Sequence, residues 1–202
     1  MQIQPELYGA VHTCQLCKLG ALRLEGGYLP TPALPGVKYK EGGIAVMCEA
    51  PGADEEQVGT PLVGRAGKLM DALLLKAGIP RDTLLLLNRV RCRPPANKLK
   101  DWPEAIAACD TWTAQELRAY NPRVVVLLGA TALTAIFGAQ AKVGQSRGSF
   151  IAKTDKHEWG ARVYTCSYHP AAVLRAGGVT SDLAEVVVAD LTAAEKVWEV
   201  CA

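Results

Sequence analysis

Four cysteines constrain this chain more than any other feature: Cys14 and Cys17 in a C-x-x-C pair, then Cys92 and Cys109 far along the sequence. Four thiolates gathered from a short pair and two distant segments suit a tetrahedral metal centre, because soft anions must converge on one point. Such a centre would tie the start of the chain to its middle, closing a long loop by ligation. The residues from Cys92 onward, CRPPAN, read as the start of a metal-bearing loop. The spacing alone admits either zinc or an iron–sulfur cluster.

The remaining bulk properties narrow the class. A length of 202 residues fits one domain spanning 1–202, with the first cysteine pair in an N-terminal metal-binding segment. The opening MQIQPELYGAVHTC lacks a basic stretch followed by an apolar run, so a signal peptide is not expected and the expected location is cytoplasmic. Seven cysteines in such a chain favour ligation over disulfides. No apolar run reaches the roughly 18 residues that a membrane span needs. A net charge of +2, from 22 basic and 20 acidic residues, is too balanced to mark a nucleic-acid binder, although a local basic patch remains compatible with it.

Apolar runs alternate with helical patterns. Ile44–Cys48 reads as a buried strand and Lys68–Ala77 as a helix stopped by Gly78 and Pro80. Thr83–Asn88 reads as a second strand, although its leucines would also suit a helix. Pro103–Tyr120 is expected to be helical, Arg123–Leu128 is the clearest strand, and a helix follows from about Ala130 to Phe137. Val163–Ser167 gives a fourth strand and Asp182–Val200 a closing helix. Residues 26–43, rich in Gly and Pro, read as an extended connection. Such alternation implies an α/β fold in three layers, a parallel sheet covered by helices on both faces. Ligands of such sheets bind beyond the carboxyl ends of the strands, which is where Glu49, Asn88, Gly129 and His169 fall.

Around those positions lie the segments that carry chemistry. In EAPGADEE, Pro51 and Gly52 force a turn that would hold Glu49 at a cleft, or leave it an ordinary loop carboxylate. GTPLVGRAG, residues 59–67, has three glycines and feeds a helix start, a junction that suits a phosphate or a base edge. Asn88 ends an apolar strand, where an amide's donor and acceptor suit a nucleobase edge, with an Asx turn as the alternative. Arg89, Arg91 and Arg93 alternate around Cys92. They would contact phosphates, moderate an anionic centre, or form a solvated edge. In SYHPAAVLR, His169 follows a strand and is backed by Pro170, unlike His12 and His157. The AAVL stretch fits either an apolar wedge for a DNA groove or the first turn of a buried helix.

Jointly, these segments resemble the family 4 uracil-DNA glycosylases, the iron–sulfur branch of the uracil-DNA glycosylase superfamily, from Cys14 to about Arg175. The resemblance implies a four-stranded parallel sheet and a 4Fe–4S cluster on Cys14, Cys17, Cys92 and Cys109. It implies excision of uracil from single- or double-stranded DNA by a monomer, without a membrane. Glu49 and His169 would be catalytic. Asn88, Gly52, Ala50 and Leu62 would bind the base, and Arg65, Gly67, Arg147 and Arg175 the DNA strand. Covalent trapping of uracil is disfavoured, because the KVGQSRGSF stretch has no histidine. Two positions depart from the pattern. Cys48 stands where members usually have Gly, and Leu62 where they carry a Phe that stacks on the flipped base. Stacking is worth roughly 1–3 kcal/mol, so Leu62 could weaken base binding about tenfold to a hundredfold. The same two changes leave open an inactive DNA-binding module or a glycosylase for another deaminated base.

Overall fold

Strands too short and too apolar to be anything but buried build the centre of the molecule. The computed structural model describes residues 5–154, 157–160 and 162–201. Its strands are β1 (Leu34–Pro35), β2 (Ile44–Cys48), β3 (Leu85–Asn88), β4 (Val124–Leu128), β5 (Ile151–Lys153) and β6 (Arg162–Ser167). They form one sheet in the order β1-β3-β2-β4-β6-β5. The four central strands are mutually parallel, as expected, while β1 and β5 add short antiparallel edges. Every residue of β2, β3 and β4 is buried.

The helices are α1 (Pro5–His12), α2 (Lys18–Glu25), α3 (Ala53–Val58), α4 (Arg65–Ala77), α5 (Pro103–Tyr120), α6 (Ala130–Phe137), α7 (Val143–Ser146), α8 (Pro170–Arg175) and α9 (Asp182–Cys201). Period-two alternation in the strands decides which helix packs where. Val46, Leu86, Val126 and Leu128 meet Met70 and Leu73 of α4, Val173 of α8 and Val187 of α9 on one face. Ala45, Met47, Leu87, Val125 and Leu127 meet Leu117 of α5 and Leu133 of α6 on the other. Burying each such side chain contributes roughly 1.5–3 kcal/mol, so both faces must stay covered. Leucine-rich 83–88 is settled as a strand from Leu85, after a 3₁₀ turn at Arg81–Thr83. The connection over 26–43 contains β1, whose Pro35 suits a sheet edge.

A third, smaller cluster lies beside the sheet and gathers Leu19, Val90, Cys92, Leu99, Ala105 and Cys109. Arg91 sits at its margin, 1% exposed, and pairs with the equally buried Glu116 of α5. Its Nη1 also donates to the Arg89 carbonyl at 2.7 Å and to Thr113 Oγ1 at 2.8 Å. Glu116 Oε1 accepts from the Ala33 backbone N–H at 2.9 Å. Removing one partner of such a pair leaves an uncompensated buried charge. Glu116→Ala is therefore expected to cost about 3–5 kcal/mol, measured as a lowered midpoint of denaturant unfolding. A shift under about 1 kcal/mol would show that the pair behaves like a surface bridge.

Candidate active site

The chain leaves β2 for β3 on one side of the sheet, and β4 for β6 on the other. Where such connections diverge, the carboxyl ends of adjacent strands open into a crevice. Here that crevice is a cleft of about 700 Å³, lined by Glu49, Asn88 and His169 among others. Three residues expected from separate segments thus face one space.

Each is held by its surroundings. Glu49 directly follows β2, and backbone pairing continues past the strand end: the Arg89 N–H donates to the Cys48 carbonyl at 2.8 Å, and the Val90 N–H to the Glu49 carbonyl at 2.9 Å. At the side chain, Thr131 Oγ1 in the first turn of α6 donates a short hydrogen bond to Glu49 Oε2. Asn88, 2% exposed, ends β3 level with Cys48. Its Nδ2 donates to Thr31 Oγ1 at 2.8 Å rather than closing an Asx turn. His169 caps α8, and its Nδ1 accepts from the Ala171 backbone N–H at 3.1 Å.

Burial and then the nearby Arg175 cation push the His169 pKa down to about 4, with Glu55 opposing weakly. At neutral pH the ring is uncharged. Because Nδ1 is an acceptor, the proton resides on Nε2. Gly129, at φ +89, allows this approach, since a Cβ there would stand 3.2 Å from His169 Cβ. The other described histidines serve locally: His12 Nδ1 bonds the Tyr8 carbonyl, and His157 packs edge-on against Trp159.

Glu55 organises the cleft's loops. Its carboxylate accepts from the backbone N–H groups of Gly52 at 3.1 Å, Val63 at 3.1 Å and Gly64 at 2.9 Å. One buried side chain thus fastens the EAPG turn to the turn before α4. Gly52 and Ala50 line the cleft. Leu62 also lines it, 5% exposed, with a left-handed backbone at φ +56. Its carbonyl accepts from Arg81 at 2.9 Å. Cys48 lies on the cleft wall, and burial pushes its thiol up to about 12.

The candidate DNA contacts divide. Arg65 and Arg175 are exposed at the cleft. Gly67 is buried and packed, because a Cβ there would meet the Leu62 carbonyl at 1.9 Å. Arg147 forms a two-pronged pair with Asp190 of α9, at 3.1 and 2.9 Å, and is not among the residues lining the cleft. The arginines around Cys92 are not a solvated edge. Arg89 grips Asp110 through two contacts of 3.2 Å, Arg91 is buried with Glu116, and Arg93 meets Glu56 at 2.6 Å. Their positive charge is spent within the fold. The AAVL stretch is the first turn of α8: Ala171 and Ala172 line the cleft, while Val173 is buried in the core. Thr31, Thr131 and Glu55 were not read from the sequence. Only Glu55 had a local signal, three residues after Gly52 in capping-box spacing.

Cys14, Cys17, Cys92 and Cys109 line one common cavity with Arg91 and Trp112. Trp112 Nε1 donates to Cys14 Sγ at 3.2 Å. Burial, then the neighbouring Cys109, pushes the Cys92 thiol up to about 12, against the pull of Arg23. The Nε atoms of both Arg23 and Arg91 are buried without a hydrogen-bond partner. A soft donor set flanked by two guanidiniums with unused donors fits an anionic thiolate-bound group. Among the described residues, no three His, Cys, Asp or Glu form a ready ligand set for a metal ion, and no helix is long and apolar enough to cross a membrane.

Comparison with known proteins shows the family of the chain. The Uracil DNA glycosylase superfamily profile matches residues 38–192. A Type-4 uracil-DNA glycosylase of Pyrobaculum aerophilum is 34% identical over 84% of this chain and 84% of its own length. Those of Archaeoglobus fulgidus and Thermotoga maritima are 31% and 35% identical, over 86% and 75% of this chain and 84% and 76% of their own lengths. The chain belongs to the uracil-DNA glycosylase superfamily.

The His169 environment has a pH consequence. The unfolded chain takes up this proton near the ordinary histidine value of about 6.5, the folded one only near 4. Its contribution to stability is therefore complete above that ordinary value and is lost as pH falls towards 4. Nitrogen-15 NMR is expected to show neutral, Nε2-protonated His169 down to about pH 5. A titration midpoint in the ordinary histidine range would contradict this.

Proposed function

We propose that the cleft receives a uracil turned out of DNA and that the protein hydrolyses its N-glycosidic bond, leaving an abasic site for repair. The observation that carries this is the convergence of Glu49, Asn88 and a neutral His169 on one cleft in a chain of this superfamily. A base inside a duplex is out of reach, so the target nucleotide must leave the stack, and single-stranded DNA serves equally.

The chemistry follows from the fixed atoms. As the C1′–N1 bond breaks, its electron pair leaves with uracil and positive charge grows on the sugar. His169 Nε2–H donates to the uracil oxygen that becomes anionic, a role suited to a neutral imidazole already oriented by Ala171. Glu49 keeps Oε2 bonded to Thr131 and has Oε1 free to orient water towards C1′. The water's oxygen bonds to C1′ while its proton passes to Glu49, and the departing uracil anion is protonated from solvent. Asn88 reads the polar edge of the base. Backbone near Ala50 and Gly52 shapes the pocket, Leu62 supplies apolar contact in place of a stacking ring, and Arg65 and Arg175 hold phosphates at the rim. The protein works as a monomer.

Cys14, Cys17, Cys92 and Cys109 would hold a 4Fe–4S cluster. When bound, that group supplies a fastening between the α1–α2 segment, the loop after β3 and α5; hydrolysis moves no electrons. The four cysteines lining one cavity support a thiolate-bound centre, and the likeness to the Type-4 uracil-DNA glycosylases favours a cluster over a single zinc. Anaerobically purified protein is expected to be brown, and Cys109→Ser to lose iron and unfold more readily. A colourless protein holding one zinc would overturn the cluster reading.

Oligonucleotides bearing one uracil, treated with alkali after incubation, test the activity. Glu49→Gln and His169→Ala are each expected to lower turnover about 10²–10³-fold, with DNA affinity little changed. Equal losses of turnover and affinity would contradict these roles. Leu62 and Cys48 motivate two competing readings. Binding without cleavage by iron-replete protein would favour an inactive module or another deaminated base.

A further inference from the structure

We propose that Arg89 is a positioning residue for Glu49: it clamps the first turn of α6 against α5, so that Thr131 can hold the Glu49 carboxylate by one oxygen. The inference rests on the glycosylase reading above, in which Glu49 orients water. A glutamate at a strand end does not aim itself, because its last side-chain torsion is broad and roughly two-fold. Yet water directed at one carbon needs the carboxylate oxygen in one place. A misplacement of about 1 Å can cost about a hundredfold in rate.

Thr131 pins that carboxylate. Its Oγ1 donates to Glu49 Oε2, and the bond has only one sense, since an ionised carboxylate accepts and never donates. What places Thr131 is Arg89, the residue directly after β3. Arg89 Nη1 donates to the Thr131 carbonyl at 2.6 Å. Its Nε and Nη2 donate to the two oxygens of Asp110 on α5, each at 3.2 Å. The fixed fork of a guanidinium can serve both helices at once, which the single ammonium of a lysine does not. The far anchor is also firm, because Asp110 follows Cys109 on the helix that bears one of the four cysteines. Arg89 reaches Glu49 from a second side as well. Its backbone N–H donates at 2.8 Å to the carbonyl of Cys48, whose peptide leads into Glu49. One residue, 9% exposed, therefore brackets Glu49 through the backbone before it and the threonine beyond it.

The test reads kcat and KM for uracil excision, with DNA affinity and melting temperature, on full-length, cluster-loaded protein. Arg89→Met keeps the backbone bond and removes the clamp. It is expected to lower kcat about tenfold to a hundredfold while KM stays within about threefold. Arg89→Lys should fall with it. Thr131→Val should lose about as much as Arg89→Met, and Thr131→Ser, which keeps the hydroxyl, should stay within about threefold of wild type. In a Glu49→Ala background no carboxylate remains to be placed, so adding Arg89→Met should cost less than about twofold in single-turnover rate. A full loss in that background, a fall in DNA affinity equal to the fall in kcat, or unchanged kcat in Arg89→Met overturns the inference. Should Arg89→Met melt, or Glu49→Ala turn over too slowly to read, the contrast at Thr131 decides, and equal losses in Val and Ser overturn it. Failure of wild-type protein to excise uracil would instead overturn the function on which the inference rests.

Discussion

A guanidinium with almost no access to water sits where the site-bearing parts of this fold meet. Arg91 follows β3 by three residues, pairs with Glu116 of α5, and lies against the cysteine cavity. Its carbonyl receives the Thr31 backbone, while its carboxylate partner receives that of Ala33. Desolvating two charges is expensive, and their attraction offsets the cost only with good geometry and further hydrogen bonds. That requirement leaves little freedom to the strand end, the helix and the incoming N-terminal segment. Their mutual placement precedes anything the cleft can do.

The cleft depends on a second economy of charge. Seven arginines pair with carboxylates or cap backbone carbonyls inside the fold, at positions 23, 81, 89, 91, 93, 147 and 162. Of the arginines, Arg65 and Arg175 are left exposed at the cleft. Within the cleft, His169 is kept uncharged by burial and by Arg175. In the proposed reaction a neutral donor would meet developing negative charge without first having to lose a cation's hydration.

How much of this was legible in the sequence follows from how local each signal is. Pro103–Tyr120 and Ala130–Phe137 have the expected bounds, because Pro at the start of one and glycines flanking the other punctuate them. β2 and β4 announce themselves through apolar runs. Six-residue α3 and α8 do not, being too short to show a helical period. Among the site residues, Glu49, Asn88 and His169 were legible as polar groups at strand ends. Thr31 and Thr131 were not, since each acts on a partner far away in sequence. Sequence also did not reveal that Gly67 packs against the Leu62 carbonyl and that Arg147 is paired with Asp190, because both roles depend on partners set by the fold.

The edges of the sheet carry a consequence of their own. β1 is two residues long and one of them is Pro35, while β5 is three residues long. A strand this short offers few unpaired backbone groups, and proline removes a donor from them. The four apolar strands between would otherwise be a template for another chain's strands. Capping them with stubs keeps crowded copies from adding to one another's sheets, so a sequence that is half hydrophobic carries built-in resistance to aggregation.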